Sequence, residues 1–205
     1  MSGPNYEYWE TRYTTSDYIF GTGPCAFLAD CRPLLPSQGR ALAIADGEGR
    51  NGVFLAECGL DVVSVDFSPV AQEKARALAN ERRVSIEAVT ADILTWDWPE
   101  AEFDVVAAIF FQFAAPAERT GIFESIRRSL KPGGLLLLHG YRPEQLAYGT
   151  GGPGVVENLY TRALLEAHFG NFADLSIREY DRELEEGTRH VGMSALIDLV
   201  GRKPV

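Results

Sequence analysis

From Arg40 onward, short runs of branched apolar residues alternate with longer segments whose apolar positions recur at helical spacing. Residues 41–45 (Ala-Leu-Ala-Ile-Ala) predict a buried strand, and 51–58 a helix with Val53, Phe54 and Leu55 on its inner side. Residues 61–66 predict a second strand. Ser68-Pro69 then supplies a capping hydroxyl and a first-turn proline for a helix over 70–80. Strands over 84–89 and 103–110 follow. A helix over 116–130 is stopped by Lys131-Pro132-Gly133-Gly134 ahead of a fifth strand over 135–139. Strands and helices in this order imply a parallel sheet covered on both faces, because right-handed crossovers deposit helices on each side. After Thr161 the pattern changes to a helix over 161–169 and two extended runs, 172–184 and 189–201, joined by Glu185-Glu186-Gly187-Thr188. That is a hairpin, so the expected fold is a doubly wound α/β sheet of seven strands, mostly parallel, with an antiparallel last strand.

In such a sheet, ligands bind beyond the carboxyl ends of the strands, where strand order reverses. The predicted rim therefore holds the 46–51 loop, Asp66-Phe67, Ala91-Asp92-Ile93, Phe111-Gln112-Phe113 and Tyr141-Arg142, joined by Glu183, Glu185, Arg189 and His190 from the hairpin. Gly47 and Gly49 permit a tight turn, and the helix that follows points free amides at the same space. Asp66 ends the next strand, where a carboxylate accepts both hydroxyls of a ribose. A nucleoside cofactor follows. Gly47, Gly49 and Gly52 also satisfy the dinucleotide fingerprint G-x-G-x-x-G, so the loop alone leaves a nicotinamide-dependent oxidoreductase open.

Charge narrows the partners. The 205 residues carry 29 acidic and 19 basic side chains, a formal net charge of −10, with no dense basic run. Nucleic acid is not expected as a partner, because phosphate binding needs clustered Lys and Arg. Cys25, Cys31 and Cys58 are odd in number and lack paired spacing or nearby histidines, so neither a disulfide framework nor a metal site is expected. Residues 1–6 lack the basic start and apolar stretch of a signal peptide, and the apolar run 103–115 is interrupted and too short to span a bilayer. A cytoplasmic protein without membrane association is expected, monomeric or homodimeric.

The sequence resembles the class I S-adenosylmethionine-dependent methyltransferases. The resemblance rests on 41–52 as the glycine loop, Val65-Asp66, Ala91-Asp92-Ile93, and Leu130-Lys131-Pro132-Gly133-Gly134 before the fifth strand, and it extends to the closing hairpin. Gly47-Glu48-Gly49-Arg50-Asn51, with Tyr8-Trp9-Glu10-Thr11-Arg12-Tyr13, Tyr18-Ile19-Phe20-Gly21-Thr22 and Gly151-Gly152-Pro153, looks like the branch related to tellurite-resistance and thiopurine methyltransferases. The resemblance implies a Rossmann-like domain with a helical cap over 1–39, a cofactor-binding core over 40–140, and a substrate-wall loop, helix and hairpin over 141–205. It also implies S-adenosyl-L-methionine as cofactor: Asp46, Gly47, Gly49 and Asn51 along its methionine side, Asp66 at the ribose, Ala91, Asp92 and Ile93 at the adenine, with Phe67 and Ile109 or Phe110 covering the ring. One departure stands out. Ala45 occupies the place two before the first glycine where the class carries an acid, and the acid, Asp46, comes one place later.

The acceptor pocket is expected from Tyr18, Phe20, Gln112, Phe113, Tyr141, Arg142 and Gly152. Among three histidines only His190 falls on the ligand edge; it and Arg189 are the catalytic candidates, whereas His139 and His168 read as structural. The aromatic N-terminus can either fold over the cleft or pack as core. The leading expectation is methyl transfer to a small molecule bearing a sulfur, selenium or tellurium nucleophile. An oxygen or nitrogen acceptor, the oxidoreductase and a non-catalytic cofactor-binding module are the alternatives, because one scaffold hosts many activities.

Overall fold

The structure, a computed structural model, describes residues 4–205; the first three residues, part of the stretch read for a leader peptide, lie outside it. A sheet of seven strands runs in the order β3-β2-β1-β4-β5-β7-β6. The strands are β1 (Arg40–Ile44), β2 (Asp61–Asp66), β3 (Glu87–Thr90), β4 (Phe103–Ile109), β5 (Leu130–Tyr141), β6 (Ala173–Glu186) and β7 (His190–Arg202). All neighbours from β3 to β5 pair in parallel, and β7 runs antiparallel to both β5 and β6. The helices are α1 (Pro4–Tyr13), α2 (Ala26–Asp30), α3 (Arg50–Glu57), α4 (Pro69–Arg82), α5 (Pro116–Ser129), α6 (Gln145–Tyr148) and α7 (Arg162–Phe169).

Strand alternation explains the two cores. Leu42 and Ile44 of β1 join Val106 and Ala108 of β4, Leu136 and Leu138 of β5, and Phe123 and Ile126 of α5 in one buried cluster. Their sequence neighbours Ala41, Ala43, Val105, Ala107, Leu135 and Leu137 face the other side, where Phe27, Leu28 and Leu55 cover them. Both faces are therefore dry, and strand order reverses at β1, between β2 and β4, which opens the crevice at their carboxyl ends.

The third strand begins later than its apolar run predicts. Arg83 takes a left-handed conformation (φ 59) and Val84 N donates back to Ala79 O, so Val84 closes α4 and packs beside it instead of extending. The Lys131–Gly134 stop also behaves differently: Gly133 and Gly134 exchange backbone hydrogen bonds with Lys203, which carries the strand back to Leu130. The hairpin turn is shorter than predicted, because Glu186 already pairs with His190. The N-terminal segment fastens that turn. Thr188 N donates to Ile19 O at 2.9 Å, and Gly187 approaches Ile19 so closely that a Cβ there would lie 2.4 Å from the same carbonyl oxygen.

His139 of β5 faces Asp198 of β7 across one register position, with Nδ1 2.6 Å from Oδ1. Arg178 and the Tyr180 hydroxyl donate to the same carboxylate. Burial alone lowers His139's basicity, but the Cys25 sulfur and the Asp198 carboxylate outweigh it and push its pKa up to about 9. A folded-state value above the ordinary 6.5 stabilises the fold fully at acidic pH and ceases to do so as pH rises through about 9. Thermal unfolding midpoints are expected to fall between neutrality and about pH 9, and to fall less in His139→Gln; equal slopes would remove this pair from the account.

Candidate active site

The loop after β1 is held from beneath by two buried carboxylates. Asp46 accepts from Gly52 N at 3.1 Å and from the Ser64 hydroxyl at 2.7 Å, which ties the loop to α3 and β2. Asp66 accepts from Gly47 N and Ser68 N, each at 2.9 Å, so it bridges the first and second strand-to-helix connections. Burial pushes Asp46 up to about 7 against the pull of its Ser64 and Gly52 bonds, and pushes Asp66 up to about 6 against those from Ser68 and Gly47.

The glycines divide the work. Gly47 (φ 57) brings the backbone against Tyr13, whose hydroxyl would lie 2.8 Å from an added Cβ. Gly49 (φ 87) faces α4: a Cβ there would lie 2.5 Å from the Cβ of Ala75. Its requirement is close helix packing and not approach to a ligand. Gly49→Ala is therefore expected to cost about 2 kcal/mol in chemical denaturation, from the left-handed backbone and the overlap together. A fully stable variant with weakened ligand binding would restore the ligand-contact reading of Gly49.

Two cavities open on this rim. The near one, about 80 Å³, is lined by Ala45, Asp46, Gly47, Asn51, Asp66, Phe67, Ile109 and Phe110, with Trp9 and Tyr13 of α1 across from them. The far one, about 570 Å³, lies between α1, the glycine-rich 149–154 loop and the hairpin. Trp9, Phe20, Phe110, Phe113 and His190 line both. Phe110 reaches this shared wall from a left-handed backbone (φ 54) just past β4, and Ala45, just past β1, takes a similar conformation (φ 46). Strain at two neighbouring strand ends is characteristic of a functional rim. The Phe110 ring lies 4.3 Å from His190 and 4.8 Å from Tyr141 between centroids.

His190 is nearly enclosed, and its Nδ1 lies 3.6 Å from Glu186 Oε2. That carboxylate takes Arg50 at 2.8 Å and Ala26 N at 3.0 Å. Burial would raise Glu186, but His190, Arg50 and Ala26 N hold it at about 2, so it stays ionised. Burial lowers the His190 pKa more than Glu186 raises it, which leaves a neutral imidazole on the shared wall. Arg50 leaves the first turn of α3 and also donates to Phe20 O, linking the loop, the N-terminal segment and the hairpin.

The structure thus brings together most of the predicted residues and separates some. Asp46, Gly47, Asn51, Asp66, Phe67, Ile109 and Phe110 line the near cavity; Phe20, Gln112, Phe113, Tyr141, Gly152, Arg189 and His190 line the far one. Tyr18 is a correction: its hydroxyl donates to Lys74 O and its ring packs beside Val53 and Leu78, whereas Phe20 lines both cavities. Arg142 is another, drawn outward into pairs with Glu144 and Asp181. Gly49 packs on α4 as described. Ala91, Asp92 and Ile93 border neither cavity: Ala91 N donates to Asp66 O, Asp92 accepts from Leu94 N, and Ile93 is buried in the core. Gln112 serves chiefly as a brace, its amide exchanging bonds with Tyr141 N and O. Sequence places Arg12, Arg50 and Glu186 in the aromatic N-terminal motif, the 46–51 loop and the hairpin turn but gives them no role of their own. Arg50 lies within the glycine loop and Arg12 follows Trp9 by one helical turn, and those placements are the available signals.

The doubly wound sheet, with its crevice at the carboxyl ends of β1 and β4, has the architecture of the Rossmann-like methyltransferase fold. A family model described as a methyltransferase domain matches residues 41–134. Demethylmenaquinone methyltransferase of Deinococcus radiodurans is 32% identical over 67% of this chain and 56% of its own, and carboxy-S-adenosyl-L-methionine synthase of a Psychrobacter species is 35% identical over 38% and 29%. The chain spans less than two thirds of either relative. Among solved structures, one concerned with the conversion of a disulfide bond into a thioacetal group during echinomycin biosynthesis superposes with a TM-score of 0.78 at 18% identity, covering 97% of this chain and 91% of that one. TehB from Haemophilus influenzae gives 0.72 at 17% identity, covering 96% and 66%. Residues 41–134 thus match a methyltransferase domain, carried on a Rossmann-like sheet.

Proposed function

We propose that the protein transfers a methyl group from S-adenosylmethionine to a small organic acceptor held in the far cavity, at a sulfur or heavier chalcogen atom. The observation that carries this reading is the wall shared by the two cavities, with Phe110 and His190 at the junction. The chemistry of the near cavity suits the cofactor. It offers buried carboxylates for ribose hydroxyls and an ammonium group, apolar walls at Phe67 and Ile109, and, among the described residues, no free cation for a phosphate, since Arg50 is tied to Glu186. Its present volume is set by Trp9 and Tyr13 of α1, so a nucleoside enters as these side chains move outward.

When bound, the cofactor supplies a methyl carbon on a positively charged sulfur, open to in-line attack by a lone pair on the acceptor. The protein's part is alignment and dryness. Phe110, Phe113 and Trp9 exclude water from the junction, and Asp66 fixes the ribose. Neutral His190 accepts the acceptor's proton, and ionised Glu186 orients the ring and stabilises the imidazolium. The thioacetal chemistry named for one structural neighbour supports a sulfur acceptor.

Calorimetric titration with S-adenosylhomocysteine tests this reading. Saturable binding is expected, with no binding of NADH; binding of NADH alone would replace the proposal with the oxidoreductase. Affinity for S-adenosylhomocysteine is also expected to rise with pH. Its ribose and ammonium groups donate hydrogen bonds, so they favour ionised Asp66 and Asp46, which form as pH passes through about 6 and about 7. A flat profile between about pH 5 and 8 would place the nucleoside away from these carboxylates.

A further inference from the structure

The far cavity has the volume of a site for a drug-sized molecule, about 570 Å³, far more than a simple oxyanion or short thiol fills. Its walls are dominated by aromatic rings: Tyr8, Trp9, Phe20, Phe110, Phe113 and Tyr141. Gly152 lets the loop lie flat on one of them, since a Cβ there would come within 2.8 Å of the Tyr141 ring.

Charge is distributed against the trend of the molecule. The chain has 29 acidic residues and a net charge of −10, yet among the described residues no Asp or Glu lines this cavity, whereas Arg12 and Arg189 do. Among the described residues neither guanidinium pairs with a carboxylate, unlike Arg50, Arg142 and Arg178 nearby. Arg12 is instead steadied over the Tyr8 ring, 3.9 Å from its centroid. Three other polar side chains are engaged internally, Gln112 with Tyr141, Thr150 with Met193 O and Asn158 with Phe113 O, whereas the buried Tyr141 hydroxyl has no hydrogen-bond partner among the described residues. Two uncommitted guanidiniums on aromatic walls match a flat molecule with a negative substituent, which they bind by charge-assisted hydrogen bonds and stacking. A cationic or aliphatic acceptor meets repulsion or poor ring contact.

We propose that the far cavity takes an aromatic anion: a planar, ring-bearing acceptor with an acidic substituent, its ring against Phe110, Phe113 and Tyr141 and its charge toward Arg12 and Arg189. This rests on the methyl-acceptor reading of that cavity and adds the chemical class of the acceptor.

The test is equilibrium binding. Naphthoate, naphthamide, cyclohexanecarboxylate and tellurite are titrated into the wild-type chain with and without saturating S-adenosylhomocysteine. Naphthoate is expected to bind at least about tenfold more tightly than each of the other three. In Arg12→Gln/Arg189→Gln the preference for naphthoate over naphthamide is expected to vanish, with circular dichroism and S-adenosylhomocysteine affinity unchanged. Equal binding of the amide, the aliphatic acid or tellurite would overturn the aromatic-anion assignment, as would an acid preference that survives both substitutions. Failure of S-adenosylhomocysteine to bind would overturn the methyltransferase reading instead, and the titrations without it still decide whether the cavity selects an aromatic acid.

Discussion

Asp66→Ala is expected to weaken S-adenosylhomocysteine binding by about a hundredfold, roughly 3 kcal/mol, the loss of two charge-assisted hydrogen bonds to ribose hydroxyls. Asp66 earns this weight by position. It ends β2, is almost wholly buried, and holds Gly47 N and Ser68 N at 2.9 Å each, so both connections that border the near cavity lean on it. The alanine variant therefore also leaves two amides without their acceptor, and a lower melting midpoint is expected beside the lost affinity. Asp66→Asn separates the effects: its amide oxygen keeps one backbone acceptor, so stability recovers in part while ribose binding stays weak. Wild-type affinity in both variants would move the nucleoside to a different part of the crevice.

His190→Gln is expected to lower kcat about a hundredfold for an acceptor that must lose a proton, the ordinary contribution of a positioned base. The same substitution is expected to leave an acceptor that is already anionic at its nucleophilic atom nearly unaffected. Burial keeps the His190 pKa below its usual value, so kcat/KM should be flat at neutral pH and decline only as pH drops below the ordinary histidine range. Glu186→Gln removes the partner that stabilises the imidazolium, and a loss of about tenfold in kcat with little change in KM is expected. A His190→Gln enzyme with undiminished kcat on a protonated acceptor would show that the ring only fills space between Phe20 and Phe110.

Much of this was legible from side-chain period and turn chemistry. The apolar runs place β1, β2, β4 and β5, and Ser68-Pro69 marks α4, where the Ser68 hydroxyl accepts from Ala71 N. Asp66 and His190 follow from strand ends alone, because topology brings every parallel carboxyl end to one rim. What escaped was side-chain partnership across long separations. Arg142 lies 39 residues from Asp181, and no local pattern shows that this pair draws it out of the pocket. Gly49 has the same composition cue as Gly47, but only the approach of Ala75 shows which of the two serves packing. Tyr18 and Phe20 sit in one aromatic segment, and the direction of each ring is settled by Ile19, whose amide and carbonyl are taken by Glu48 and Thr188. The displaced acid before the glycine loop has its explanation in three dimensions as well. Ala45 adopts φ 46 at the strand end, and Asp46 turns under the loop to Gly52 and Ser64.

The central claim is that a methyl group crosses the Phe110–His190 junction from one cavity to the other. Incubation with S-adenosylmethionine carrying a trideuteriomethyl group, together with aromatic acids bearing thiol, selenol, phenol or amine groups, tests it most directly by mass spectrometry of the small molecules. The account predicts that the label appears on the sulfur or selenium of an aromatic acid and not on a phenol or amine, and that His190→Gln slows its appearance wherever that atom starts out protonated. Tight binding of S-adenosylhomocysteine with no labelled product from any acceptor would contradict it and leave a cofactor-binding module in its place.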